Sequence, residues 1–211
     1  MNEPKKKIRI ACIGDSITYG YGVGPYRETD SYPALLQDKL GKERYRVFNF
    51  GLNGRCVLHN GEEPYFKETA FSESLKLNAD AYVILLGTND AAGYNFEGAG
   101  PSGVNFKKDL EALVDSYRIL PFHPKVLLLV PPEAIAFDRS EFAEEVCHNL
   151  DETIRPAVKE VAQEKGVALV DLYPLTYGHP EYLVDSVHPN KKGDEVIAEA
   201  VYRALLQAFE E

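Results

Sequence analysis

Four short segments of this sequence hold residue types from which hydrolytic chemistry can be assembled. They are Gly14-Asp15-Ser16, Gly51-Leu52-Asn53-Gly54, Gly87-Thr88-Asn89-Asp90 and Asp185-Ser186-Val187-His188-Pro189. A serine hydroxyl is a poor nucleophile until a base takes its proton. Imidazole suits that task because, as a type, it titrates near neutral pH. A histidine used this way must be held in one tautomer, and a carboxylate on its second nitrogen does so. Asp185 lies three residues before His188, close enough for one turn to present both side chains. Each residue alone has an ordinary reading: Ser16 as a helix cap, Asp185 as a turn residue, His188 as a surface histidine. Their joint presence gives the set its weight. Asp15 and Asp90 read as structural, bonding nearby backbone in tight turns. His59, His123, His148 and His179 pair with no acid at short spacing as convincingly.

These segments need elements to position them. Five apolar runs read as strands: residues 8–13, 45–50, 81–86, 126–130 and 167–172. Runs this continuous suit parallel strands covered on both faces. Helical spacing appears between them. Residues 32–40 place Ala34, Leu35 and Leu40 towards one side, with Gly41 as a stop. Phe106, Leu110, Leu113, Val114 and Tyr117 form a second stripe, and Phe142, Val146, Leu150, Ile154, Val158 and Val161 a third. Pro156 should kink or break that third helix. A last helix runs from an Asn190 cap through Val196, Ile197, Ala200, Val201, Ala204 and Leu205. Alternating strands and helices imply one α/β domain over residues 1–211: a three-layer α/β/α, flavodoxin-like, doubly wound five-stranded parallel sheet. Such sheets bind ligands outside the carboxyl ends of their strands. Three of the polar segments follow strands, and the fourth precedes the last helix.

The bulk properties narrow the function. The chain has 211 residues, 45% hydrophobic and 27% charged, with a formal net charge of -10. Acidity of this order argues against nucleic acid as a partner and weakly against anionic membranes. Lys5-Lys6-Lys7 reads as a solvated lead-in to the first strand. No apolar run approaches the roughly 20 residues needed to span a bilayer. The charged N-terminus lacks a following apolar region, so a cytoplasmic location is expected. Cys12, Cys56 and Cys147 have no metal-ligand spacing and read as free thiols, Cys12 and Cys56 as packing residues.

The four blocks, in this order, resemble those of the SGNH hydrolases, also called the GDSL esterases and lipases. The Ser, Gly, Asn and His of that name match Ser16, Gly54, Asn89 and His188. The resemblance runs through nearly the whole chain. It implies a serine esterase with Ser16 as nucleophile, His188 as base and Asp185 as orienting acid. It also implies an oxyanion hole from the backbone N–H of Ser16, the backbone N–H of Gly54 and the Asn89 side chain. Gly51 stands in the same segment as Gly54 and remains an alternative donor. No metal or cofactor is implied.

The segment 49–54, followed by 61–67, is similar to the carbohydrate or sialate O-acetylesterase branch. A small acyl ester, an O-acetyl group on a carbohydrate foremost, is therefore the expected substrate. Lysophospholipase, thioesterase and arylesterase activities of the same family are the alternatives. Tyr19, Tyr65 and Tyr94 are candidate substrate contacts in loops expected to rim the pocket, as are Tyr21, Tyr26 and Phe96. A nucleotide- or flavin-binding module is the rival class. The glycines at 20, 22 and 24 are wrongly spaced for a dinucleotide fingerprint, and no Walker A motif follows the first strand.

Overall fold

The computed structural model describes residues 7–100 and 103–210. The strands are β1 (Ile8–Gly14), β2 (Tyr45–Gly51), β3 (Ala81–Leu85), β4 (Lys125–Val130) and β5 (Ala168–Asp171). The main helices are α1 (Tyr32–Leu40), α2 (Thr69–Lys76), α3 (Val104–Arg118), α4 (Glu141–Asn149), α5 (Arg155–Lys165) and α6 (Lys191–Glu210). All strand pairs are parallel, in the order β2-β1-β3-β4-β5. This is the flavodoxin-like order, with the strand order reversing around β1 and β3.

Alternation along each strand divides the core in two. Ala11, Ile13, Tyr82, Ile84, Leu128 and Val130 join the cluster that includes the apolar stripes of α3 and α5. Ile10, Cys12, Val83, Leu85, Leu127 and Leu129 join the cluster of α1 and α6 on the other face. Coverage of both faces holds for β1, β3 and β4. The edge strands differ: most of β2 is half-buried, and β5 leaves Ala168 and Leu169 exposed. Of the Lys5-Lys6-Lys7 run only Lys7 is described, and it is exposed.

The helices follow the expected bounds with two corrections. The buried stripe of α1 is Tyr32, Leu36 and Leu40, while Ala34 and Leu35 are half-buried. Tyr32 goes inside because its hydroxyl finds Thr18 Oγ1 at 3.1 Å, which satisfies a buried polar tip. The helix containing Pro156 is interrupted by a π turn, Leu150–Ile154, in which the Arg155 N–H bonds to the Leu150 carbonyl. That turn lets two α segments run on through Pro156, which sits in the first turn of α5, where its missing N–H costs nothing. Asn190 caps α6 as expected, its Oδ1 accepting from Lys192 N at 2.9 Å and Gly193 N at 3.3 Å. All three cysteines are free; Cys12 and Cys56 are buried, and burial pushes both thiols up to about 12. Among the described residues no helix is long and apolar enough to cross a membrane.

Candidate active site

Ser16 stands just beyond β1. Asp15 caps a four-residue helical turn, Ser16–Tyr19, by accepting the Ile17 N–H at 2.9 Å. Ser16 opens that turn, so its N–H is among those with no partner inside the turn. The residue is only 8% exposed. Asp15 itself is fully buried, its Oδ2 has no partner among the described residues, and burial pushes its carboxyl up to about 7.

The segment before α6 meets Ser16 beyond the end of β1. His188 Nε2 lies 2.8 Å from Ser16 Oγ, and His188 Nδ1 lies 2.8 Å from Asp185 Oδ2. The spacing of three works because Asp185 closes its own turn. Its Oδ1 accepts the N–H of Val187 at 3.0 Å and of His188 at 2.8 Å. Partial burial opposes the charged form of Asp185, but these bonds and the imidazole outweigh it and hold the carboxyl below its usual range. The ring of Tyr21 packs on His188 with centroids 4.5 Å apart. Tyr21 is thus the rim tyrosine in contact with the imidazole.

Two further segments emerge level with the end of β1, since Gly14 pairs with Gly51 on one side and Leu85 on the other. Gly51 and Gly54 separate cleanly. The Gly51 N–H is taken by Asn49 Oδ1 at 2.9 Å, and a Cβ there would lie 2.2 Å from Tyr19 N. Gly51 therefore serves close packing against the serine turn. Gly54 has φ +81° and leaves the ladder, and among the described residues nothing claims its N–H. Positive φ favours glycine there. Asn89 Nδ2 donates to the Arg55 carbonyl at 3.0 Å, which ties the segment after β3 to the segment after β2. An amide nitrogen carries two hydrogens, so one remains to donate elsewhere.

Asp90 is structural, though its bonds are not local. Its carboxylate accepts from Val57 N and Leu58 N at 2.9 Å, across 33 and 32 residues. Arg55 completes the brace. Its guanidinium bonds Glu63 at 2.6 Å, Glu68 at 2.9 Å and the Asn53 carbonyl at 2.6 Å. Sequence reasoning did not find Arg55, because its partners meet only through the fold.

The three candidate tyrosines divide. Tyr65 is a correction: it is fully buried, and its hydroxyl donates to the Phe50 carbonyl at 2.8 Å. A ring enclosed in the core cannot meet a substrate. Tyr19 is half-buried beneath the Arg27 guanidinium, 3.8 Å from the ring centroid. Tyr94 is 56% exposed and lies parallel to Phe142. Phe142 lines a cleft of about 200 Å³ together with Asp138, Ser140, Asp185 and His188. A larger cavity, about 760 Å³, lies between Leu175–Tyr182 and α6 and contains none of these residues. Among the described residues no three His, Cys, Asp or Glu side chains are grouped to hold a metal.

An acid–histidine–serine array at the carboxyl edge of a 2-1-3-4-5 parallel sheet is the architecture of an α/β serine hydrolase. Residues 12–196 match the GDSL-like lipase/acylhydrolase family, and the chain belongs to that family. An acetylxylan esterase of Xylanibacter ruminicola is 35% identical over 216 residues, covering 94% of this chain and 43% of that protein. The chain thus spans less than half the length of this relative. Solved structures share the fold. A carbohydrate acetylesterase family member from Sinorhizobium meliloti aligns with TM-score 0.73 at 22% identity, over 95% of this chain and 98% of the other. A lipase/acylhydrolase from Enterococcus faecalis aligns with TM-score 0.74 at 23% identity, over 95% and 96%.

Proposed function

We propose that the protein is a carboxylic ester hydrolase that removes short acyl groups, O-acetyl groups of a carbohydrate foremost, through an acyl-enzyme on Ser16. One observation carries this reading: the unbroken line from Asp185 Oδ2 to His188 and from His188 to Ser16 Oγ, 2.8 Å at each link. His188 Nε2 takes the Oγ proton as Oγ attacks the ester carbonyl. Asp185 holds the ring with Nδ1 protonated and stabilises the imidazolium. Negative charge then develops on the carbonyl oxygen. The N–H of Ser16, the N–H of Gly54 and the free amide hydrogen of Asn89 are its donors. The alcohol leaves with the proton from Nε2. Water, activated by the same nitrogen, releases the acid and restores the serine.

The choice of acetyl esters of a carbohydrate draws support from the acetylxylan esterase relative. The test compares wild type with Ser16→Ala on acetylated xylan oligosaccharides and on p-nitrophenyl acetate. Wild-type turnover, its loss in Ser16→Ala and labelling of Ser16 by a fluorophosphonate are expected. Equal rates in the two proteins would overturn the assignment. Hydrolysis confined to aryl or long acyl esters would keep the mechanism and overturn the substrate.

A further inference from the structure

Phe142 breaks the pattern of its own helix. Its spacing puts it on the stripe with Val146, Leu150 and Ile154, all of which are buried. Phe142 is 54% exposed instead. Its neighbour Tyr94 is 56% exposed, and the two rings lie 9° from parallel with centroids 6.4 Å apart. Two large apolar faces left open beside a reactive centre call for a function. Phe142 opens onto the cleft of about 200 Å³ whose opposite wall is Asp185, Ser186, Val187 and His188.

The histidine in its wall sets which part of an ester that cleft would meet. The serine follows β1, and the oxyanion donors Gly54 and Asn89 follow β2 and β3. Gly54 thus lies on one side of the serine strand, while Asn89, the residues 138–147 after β4 and His188 after β5 lie on the other, and His188 itself lines the cleft. The departing alcohol oxygen must receive its proton from His188 Nε2, so the alcohol lies on the histidine side. The oxyanion lies towards Gly54 and Asn89, which flank the serine.

Resting on the esterase reading above, we propose that this cleft is the alcohol subsite and that Phe142, extended by Tyr94, is its specificity platform. The occupant is a polyhydroxylated ring, whose C–H face lies against an aromatic ring while its edge hydroxyls need acceptors. Asp138 stands at the cleft for that purpose. Its Oδ1 is bonded by Ser140 N at 3.0 Å and Ser140 Oγ at 2.9 Å. Those bonds hold the carboxyl below its usual range, so it stays an acceptor at neutral pH. A cleft with an apolar wall and a few placed polar groups is the ordinary form of a small-molecule site.

The experiment separates alcohol from acyl recognition. Wild type, Phe142→Ala and Phe142→Trp are assayed on acetyl esters of ethanol, p-nitrophenol and xylo-oligosaccharide, and on ethyl esters of lengthening acyl chain. Phe142→Ala should lower kcat/KM on the sugar acetate roughly tenfold, mainly through KM, a loss of about 1.4 kcal/mol. Ethyl acetate and the acyl-length profile should be unchanged, and Phe142→Trp should restore the sugar ester. A uniform fall across all esters, a changed acyl-length profile, or no change at all would overturn the subsite. A wild type inert on every ester would overturn the esterase reading and the subsite with it. An active wild type with an unresponsive variant would overturn the subsite alone.

Discussion

Replacing Asp185 by Asn tests the reaction chemistry more sharply than removing the serine, because the fold dictates how the new amide must sit. Oδ1 of Asp185 accepts two backbone N–H groups, from Val187 and His188. An NH2 group cannot occupy that position against two donors. The amide of Asp185→Asn must therefore keep its oxygen there and turn its NH2 towards His188 Nδ1. Nδ1 becomes an acceptor, the ring proton moves to Nε2, and Nε2 now faces Ser16 Oγ with a hydrogen instead of a lone pair. The base is lost while the geometry survives. In serine hydrolases of another fold the equivalent wrong tautomer lowers kcat by ~10⁴, about 5 kcal/mol of barrier. The same loss is expected here in kcat on p-nitrophenyl acetate. Fluorophosphonate labelling should slow by a similar factor, because both reactions need the activated hydroxyl. The melting temperature should change little, since both backbone bonds to Oδ1 persist. A variant that folds normally and keeps kcat within tenfold of wild type would refute the role of Asp185.

Two further outcomes follow from the same geometry. Asn89→Ala should lower kcat by ~100 to 1,000-fold with KM little changed, because the lost donor acts on charge present only in the transition state; a loss confined to KM would count against it. Asp15→Asn tests linkage. The native carboxyl sits at about 7, against 3.8 as the ordinary value, through burial. Between those values the native state holds a proton that the unfolded chain has shed, so stability falls as pH rises through the window and is lost above it. The full swing is on the order of 4 kcal/mol. Asp15→Asn should match wild type near pH 4 and melt at a higher temperature near pH 8.5. A constant difference in melting temperature across that range would show that Asp15 carries no such coupling.

The strands were legible because three of the five are covered on both faces, and their apolar runs are unbroken. The positions of Ser16, Asn89 and His188 were legible because a parallel sheet gathers its site where strands end. What escaped the sequence depends on partners far along the chain. Tyr65 looks like a rim residue among Gly61, Glu62 and Pro64. Its fate was decided by the Phe50 carbonyl, 15 residues back. Asp90 looks like a turn former, yet it binds backbone at Val57 and Leu58. Tyr32, Leu36 and Leu40 form the buried stripe of α1 because Thr18 satisfies the Tyr32 hydroxyl. Gly51 and Gly54 could not be told apart in one dimension. The bond from the Gly51 N–H to Asn49 separates them. The short turns at 21–26, 65–67 and 89–91 span too few residues for any period to register.

The π turn at Leu150–Ile154 carries a consequence for how this chain tolerates insertion and deletion. It amounts to one residue more than an α-helix between α4 and α5 would hold. The wider turn absorbs that residue, so removing one would restore regular pitch with α4 and α5 still facing nearly the same way. Arg155, buried and bonded to the carbonyls of Pro131 and Pro132 and to Asp151, would stay anchored to the end of β4. α4 would keep Phe142 and Cys147 in the cleft they share with His188. The loss of one residue within this turn would thus leave both the cleft and the hydrogen-bonded line to Ser16 in place, a tolerance that a helix of regular pitch would not offer.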